Sequence, residues 1–116
     1  MRIALAIVTT LGLLASCAHT EPRPINMTSA IRTAKTSADY EALAKRYEDA
    51  AKDMQAKAEE QKRMLAEYQE HGYYYGRQTE YLIEHSQALI RFYQEAANVN
   101  LNMAHYHHRL AEDARQ

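Results

Sequence analysis

Four of the six histidines fall in the final third of the chain, His85, His105, His107 and His108. Imidazole is both the commonest protein metal ligand and the side chain that titrates nearest neutral pH. His105 and His108 stand three residues apart, so a helix carries both rings on one face. Asp39, on a helix lying alongside, would add a carboxylate oxygen, and such a mixed set suits a divalent ion. There is no Glu-x-x-His pair of the kind that builds a di-iron bundle site. The same residues also have a structural role open to them, as polar groups that fix the register of an otherwise slippery alanine-rich interface. Register setting is the preferred expectation: Asp39 opposite His107 and Gln61 opposite His85, each pair hydrogen-bonded across two antiparallel helices. Metal or ligand binding through His85, His105, His107, His108 and Asp39 is the alternative, and no cofactor is otherwise expected.

Catalytic groupings are lacking. The sequence has no glycine-rich phosphate loop and no zinc motif, and Ser86 beside His85 is not a catalytic pair because neighbours on a helix point in different directions. An enzyme is therefore not expected. Lys and Arg total 14 against 15 Asp and Glu, a net charge of −1. The basic residues are scattered singly or in pairs among acids, so no nucleic-acid footprint is indicated.

Tyrosine is the other unusual chemistry, with nine residues and no tryptophan. Tyr40, Tyr47, Tyr68 and Tyr93 lie on or near apolar seams, where a packed ring with its hydroxyl at the edge suffices. Tyr73, Tyr74 and Tyr75 lie consecutively between Gly72 and Gly76. They cover the open end of a bundle or form a contact surface for a protein or glycan.

The lone cysteine, Cys17, has a third kind of chemistry. Met1-Arg2 gives a positive start, and Ile3 to Ala15 is apolar without a charge, about 20 Å as a helix and short of the ~30 Å hydrocarbon core. Residues 1–16 thus read as a signal peptide. Its end, Leu14-Ala15-Ser16-Cys17, resembles the lipobox of bacterial lipoproteins. The resemblance implies cleavage before Cys17 and a lipid on its sulfur, palmitate among the acyl chains. Several acyl chains at about 0.8 kcal/mol per buried CH₂ hold a protein to a bilayer. Ala18 stands where an Asp would resemble an inner-membrane retention signal, so the outer membrane, facing the periplasm, is the expected home.

The rest of the chain must position these groups. Residues 17–37 read as a flexible tether, broken by Pro22 and Pro24, with helix permitted within Met27 to Lys35. Residues 38–116 read as a helical hairpin: a helix over about 38–71, a loop over 72–76, and a helix over about 77–115. Both long segments are rich in Ala, Glu, Gln, Lys, Arg, Leu and Met, the residues that lose least on entering a helix. Thr36 and Ser37 before Asp39 and Glu41 form an N-cap signal, Thr79-Glu80 offers a similar start, and Gly72 fits a left-handed position just past a helix end. The fold class is all-α, a long antiparallel two-helix hairpin of coiled-coil character.

Heptad spacing assigns the faces. The first helix carries Tyr40, Tyr47, Met54, Gln61 and Tyr68, flanked by Leu43, Ala44, Ala50, Ala51, Ala58, Met64 and Leu65. The second carries Leu82, Leu89, Ala96, Met103 and Leu110 beside Ile83, Ile90, Ala97, Ala104 and Ala111, with a half-polar companion seam of Ser86, Tyr93, Asn100 and His107. Each helix is expected to have one wide apolar stripe. Sliding Ala42-Leu43 onto Ala88-Leu89 also brings Tyr47 onto Tyr93, Ala50-Ala51 onto Ala96-Ala97, Ala58 onto Ala104 and Arg63 onto Arg109, which reads as a duplicated helix.

The two units, YEALAKRYEDAAKDMQAKAEEQKRMLAEY and HSQALIRFYQEAANVNLNMAHYHHRLAED, resemble a group of small exported bacterial helical-hairpin proteins, largely uncharacterised. In that group a histidine precedes the Ala-Leu and another lies near the end of each unit. His85 and His107 match in the second unit, whereas Asp39 and Gln61 stand at those positions in the first. The resemblance implies a fold and a compartment, and no activity.

Alanine-lined helices bury little area at about 25 cal/mol per Å², so a lone hairpin would be marginal. Self-association into a four-helix bundle by dimerisation, or docking on an envelope protein, is expected. The function expected is that of a cell-envelope lipoprotein with a structural or protein-interaction role; the alternative is a periplasmic metal- or ligand-binding helical module.

Overall fold

The computed structural model describes residues 26–116. Three α-helices follow one another: α1 (Met27–Thr33), α2 (Ser37–Glu70) and α3 (Thr79–Asp113), with two 3-10 turns, Gly72–Tyr74 and Gly76–Gln78, between the long pair. Cys17 and the segment 1–16 read as a signal peptide lie outside the described residues. At about 1.5 Å per residue α2 and α3 each run roughly 50 Å, and they pack on each other along their length as an antiparallel hairpin.

Thr36 starts α2. Its hydroxyl accepts the Asp39 N–H at 3.1 Å, and the Asp39 carboxylate accepts the N–H groups of Thr36 and Lys35 at 2.9 and 3.0 Å. This reciprocal box satisfies donors that the first helical turn leaves unpaired. Part of the stretch read as tether is helix: α1, capped by Asn26, folds back beside the start of α2. The Tyr40 hydroxyl donates to the Ala34 carbonyl at 3.4 Å, and Ala30, Thr33, Ala42, Leu43 and Arg46 line the groove between.

The turn departs from its sequence reading in two ways. Gly72 is not left-handed; among the described residues the one positive φ is at Gly76, +59°. Gly72 is required for space, since a Cβ there would stand 2.6 Å from Thr79 Cγ2. Nor does Thr79 cap α3. It is already helical, and its hydroxyl donates to the carbonyls of Gly72 and Gly76, closing the turn on itself.

The buried seam is built mainly of alanine. Ala44, Ala51 and Ala58 repeat every seventh residue on α2, Ala97, Ala104 and Ala111 do so on α3, and Leu43, Ser86 and His107 complete the buried set. Small side chains let the two backbones approach, and heptad spacing keeps the seam facing its partner for the full length. This changes the face assigned to α3. Leu89 and Leu110, expected on the main seam, are exposed. The half-polar companion seam of Ser86 and His107 turns inward instead, because a narrow gap between alanines has no room for a row of leucines. α3 therefore carries two stripes, one against α2 and one facing outward.

Candidate functional site

At the open end of the hairpin α3 brings His107 to two tyrosines and His108 to two acids of α2. His107 lies between two α2 rings, stacked on Tyr47 at a centroid distance of 5.3 Å and on Tyr40 at 6.5 Å. Tyr40 and Tyr47 are seven residues apart, so their rings line one edge of α2 with a slot between them. His107 Nδ1 is buried without a hydrogen-bond partner, and burial pushes the imidazole pKa below its ordinary value. The ring is kept neutral and serves as packing.

His108, one residue on and about 100° round the helix, meets a different edge. Its Nδ1 lies 2.9 Å from Glu41 Oε2 and its Nε2 2.9 Å from Glu48 Oε1. A neutral imidazole has one donor and one acceptor, so only the imidazolium donates to both carboxylates. The hydrogen bond to Glu48, then that to Glu41, raises the pKa of the ring. Arg115 extends the cluster, its Nη2 donating to Glu41 Oε1 at 2.8 Å and its Nε to Ser37 Oγ at 2.9 Å. The result is a charged clasp joining the end of α3 to the start of α2.

The pairings expected between helices are not made. Asp39 is turned back onto its own helix start, where the N–H groups of Lys35 and Thr36 hold its carboxyl below the usual range. Gln61 reaches Met64 Sδ. His85 is on the outward face of α3, its Nδ1 2.9 Å from the Tyr81 carbonyl oxygen and its ring 3.9 Å from that of Tyr81. His105 is exposed beside Tyr106. His85, His105, His107, His108 and Asp39 are thus dispersed, and among the described residues no three His, Cys, Asp or Glu side chains group to hold a metal ion. Register is set instead by the Tyr40–His107–Tyr47 stack and the Glu41–His108–Glu48 bridge. From sequence Glu41 reads only as a first-turn acid and Glu48 is not singled out, although their seven-residue spacing, matching that of Tyr40 and Tyr47, is the available signal of a shared partner.

The tyrosine tip divides. Tyr75 folds back, edge-on to Tyr68 at 5.1 Å, with its hydroxyl donating to Glu67 Oε1 at 3.2 Å. Tyr73 and Tyr74 are each 72% exposed, their centroids 4.2 Å apart, with His71 near both.

A second surface feature is the outward stripe of α3. Tyr81 is 58% exposed, Phe92 66%, Val99 53% and Tyr106 59%, with Leu89 and Leu110 alongside. The corresponding outer surface of α2 is charged, with ion pairs of Lys45 with Asp49, Lys62 with Glu59 and Arg63 with Glu60. No helix among the described residues is long and apolar enough to cross a membrane. No protein-family model matches this chain, and no curated protein or solved structure compared with it is similar.

Proposed function

We propose that this chain is a cell-envelope lipoprotein with a structural or protein-interaction role. It is acylated at Cys17, held at the outer membrane facing the periplasm, and presents the α2–α3 hairpin for assembly, completing a four-helix bundle by dimerisation or docking an envelope protein. The observation that carries the assembly part is the two-faced α3. Its inner stripe is satisfied by α2, and its outer stripe exposes two tyrosines, a phenylalanine and three aliphatic side chains along some eight turns. Exposed apolar surface arranged contiguously marks an interaction site rather than an ordinary solvated face. The anchor part rests on the lipobox resemblance at Leu14-Ala15-Ser16-Cys17 and on the uncharged segment before it.

Native mass spectrometry of the mature protein, extracted gently from its own membranes, tests both parts at once. A mass carrying lipid, together with a second copy or another envelope protein, is the expected result. An unlipidated monomer would overturn the proposal, and a stoichiometric metal ion would replace it with the metal-binding alternative.

A further inference from the structure

Resting on the reading of the hairpin as an assembling module, we infer that the outward stripe of α3 is the docking face for a second copy of this chain, packed antiparallel, α3 against α3.

The stripe is continuous. Ten positions from Tyr81 to Leu110 fall within roughly 100° of the helix circumference at 100° per residue, and none is Asp, Glu, Lys or Arg. Its centre lies roughly 100° from the centre of the alanine seam. Faces so disposed let α3 touch α2 on one side and a further helix on the next, as in a four-helix bundle. The exposed parts of Tyr81, Leu89, Phe92, Val99, Tyr106 and Leu110 amount to roughly 600 Å², taking about 150–250 Å² for each aromatic residue. Two such faces joined bury about 1,200 Å², which reaches the range of specific interfaces before the flanking residues add to it.

Direction follows from size and charge. An antiparallel pair with its axis near Ala96 sets Tyr81 opposite Leu110, His85 opposite Tyr106, Ala88 opposite Met103 and Phe92 opposite Val99, so large side chains face smaller ones throughout. A parallel pair would set Phe92 on Phe92 and Ala88 on Ala88, alternating crowding with voids, and both cost stability. In an antiparallel pair the charged edge of the stripe meets its own copy, which brings Glu84 near Arg109 of the other chain, twice by symmetry. Glu95, beside the axis, meets its own copy about one turn from Arg91 of either chain, whose opposite charge offsets that contact. Neither Glu84 nor Arg109 has an ion-pair partner among the described residues. A parallel pair would lay that edge against the uncharged side of the stripe, with no opposite charge to meet. The antiparallel arrangement puts the starts of the two α2 helices at opposite ends, so the assembly lies along the surface to which it is tethered.

The test uses the full mature chain in mild detergent, with single cysteines added. Oxidation of Ala96→Cys is expected to give a covalent dimer. Tyr81→Cys mixed with Leu110→Cys is expected to give the mixed dimer, while neither variant alone crosslinks. Phe92→Glu combined with Val99→Glu is expected to raise the dimer Kd by about 100-fold or more with helical circular dichroism unchanged, since neither residue faces α2. Failure of Ala96→Cys to crosslink, self-crosslinking of Leu110→Cys, or a dimer indifferent to the two glutamates would overturn the inference. A different envelope protein retained on this stripe would also overturn it while leaving the interaction role standing. A crosslink in the parent chain, whose only cysteine is Cys17, counts against acylation, separately from the α3 contact.

Discussion

His107 and His108 are adjacent in sequence and are expected to respond to pH in opposite senses. His108 binds its proton more tightly in the fold than in the unfolded chain, because Glu48 and Glu41 accept from both ring nitrogens. Its contribution is complete below the ordinary histidine value of about 6.5 and is lost as pH rises through the higher folded value. The ring and the two carboxylates are 41%, 39% and 35% exposed, so solvent screening limits each pair to about 0.2–1 kcal/mol, or about 0.4–2 kcal/mol together. His108→Gln is therefore expected to cost that amount at about pH 5.5, where each kcal/mol is about 4–8 °C in Tm for a domain of this size, and much less well above neutrality. His107 is the reverse case. Burial disfavours its charged form, so its contribution is present above about 6.5 and is lost as pH falls. His107→Phe keeps a ring between Tyr40 and Tyr47 and removes the unpaired Nδ1, an atom whose burial costs about 1–3 kcal/mol. The variant should be more stable than the parent, increasingly so toward acid. Urea unfolding followed at 222 nm between about pH 5.5 and 8.5, at one protein concentration because association adds its own stability, reads both effects. A cost of His108→Gln that is flat with pH, or larger at the alkaline end, would refute the imidazolium bridge.

Other expectations concern the scaffold. Ala51→Leu adds three carbons to a fully buried position in the alanine seam and should cost about 1–3 kcal/mol by overpacking, seen as a lower urea midpoint with weakened pairing of α2 and α3. Gly76→Ala places a Cβ at φ +59° and should cost about 1–2 kcal/mol. Because nothing crowds that Cβ, Gly76→Asn should recover much of the loss in the same assay. Thr36→Ala removes one half of the capping box and should cost about 0.5–2 kcal/mol, with faster hydrogen exchange confined to the first turn of α2.

The helices and the hairpin were legible because their signals are local. Two long runs free of glycine and proline, rich in good helix formers and flanked by Thr36 and the Gly72–Gly76 punctuation, leave little choice of secondary structure, and a short turn makes the helices antiparallel. The capping box was likewise contained in four consecutive positions. The turn was harder. Which glycine is left-handed depends on how Thr79 closes back on Gly72, a contact between residues seven apart that no spacing rule announces.

The faces and the site belong to the tertiary structure. Periodicity shows that α3 has apolar residues at helical spacing, but it does not say which of two stripes α2 will select. That choice is made by volume: the alanines of α2 admit Ala97, Ala104, Ala111, Ser86 and His107, and turn Phe92, Val99, Tyr106 and Leu110 outward. The fates of the histidines follow from a register fixed over the whole hairpin. It slots His107 between two tyrosines, lays His108 across two glutamates, and leaves His85 and His105 outside. Sequence determined the elements and the chemical groups they carry, because helix propensity and capping act within a few residues. Only the packed hairpin decided which groups meet, because steric fit and charge pairing between α2 and α3 at the histidines join residues sixty or more positions apart.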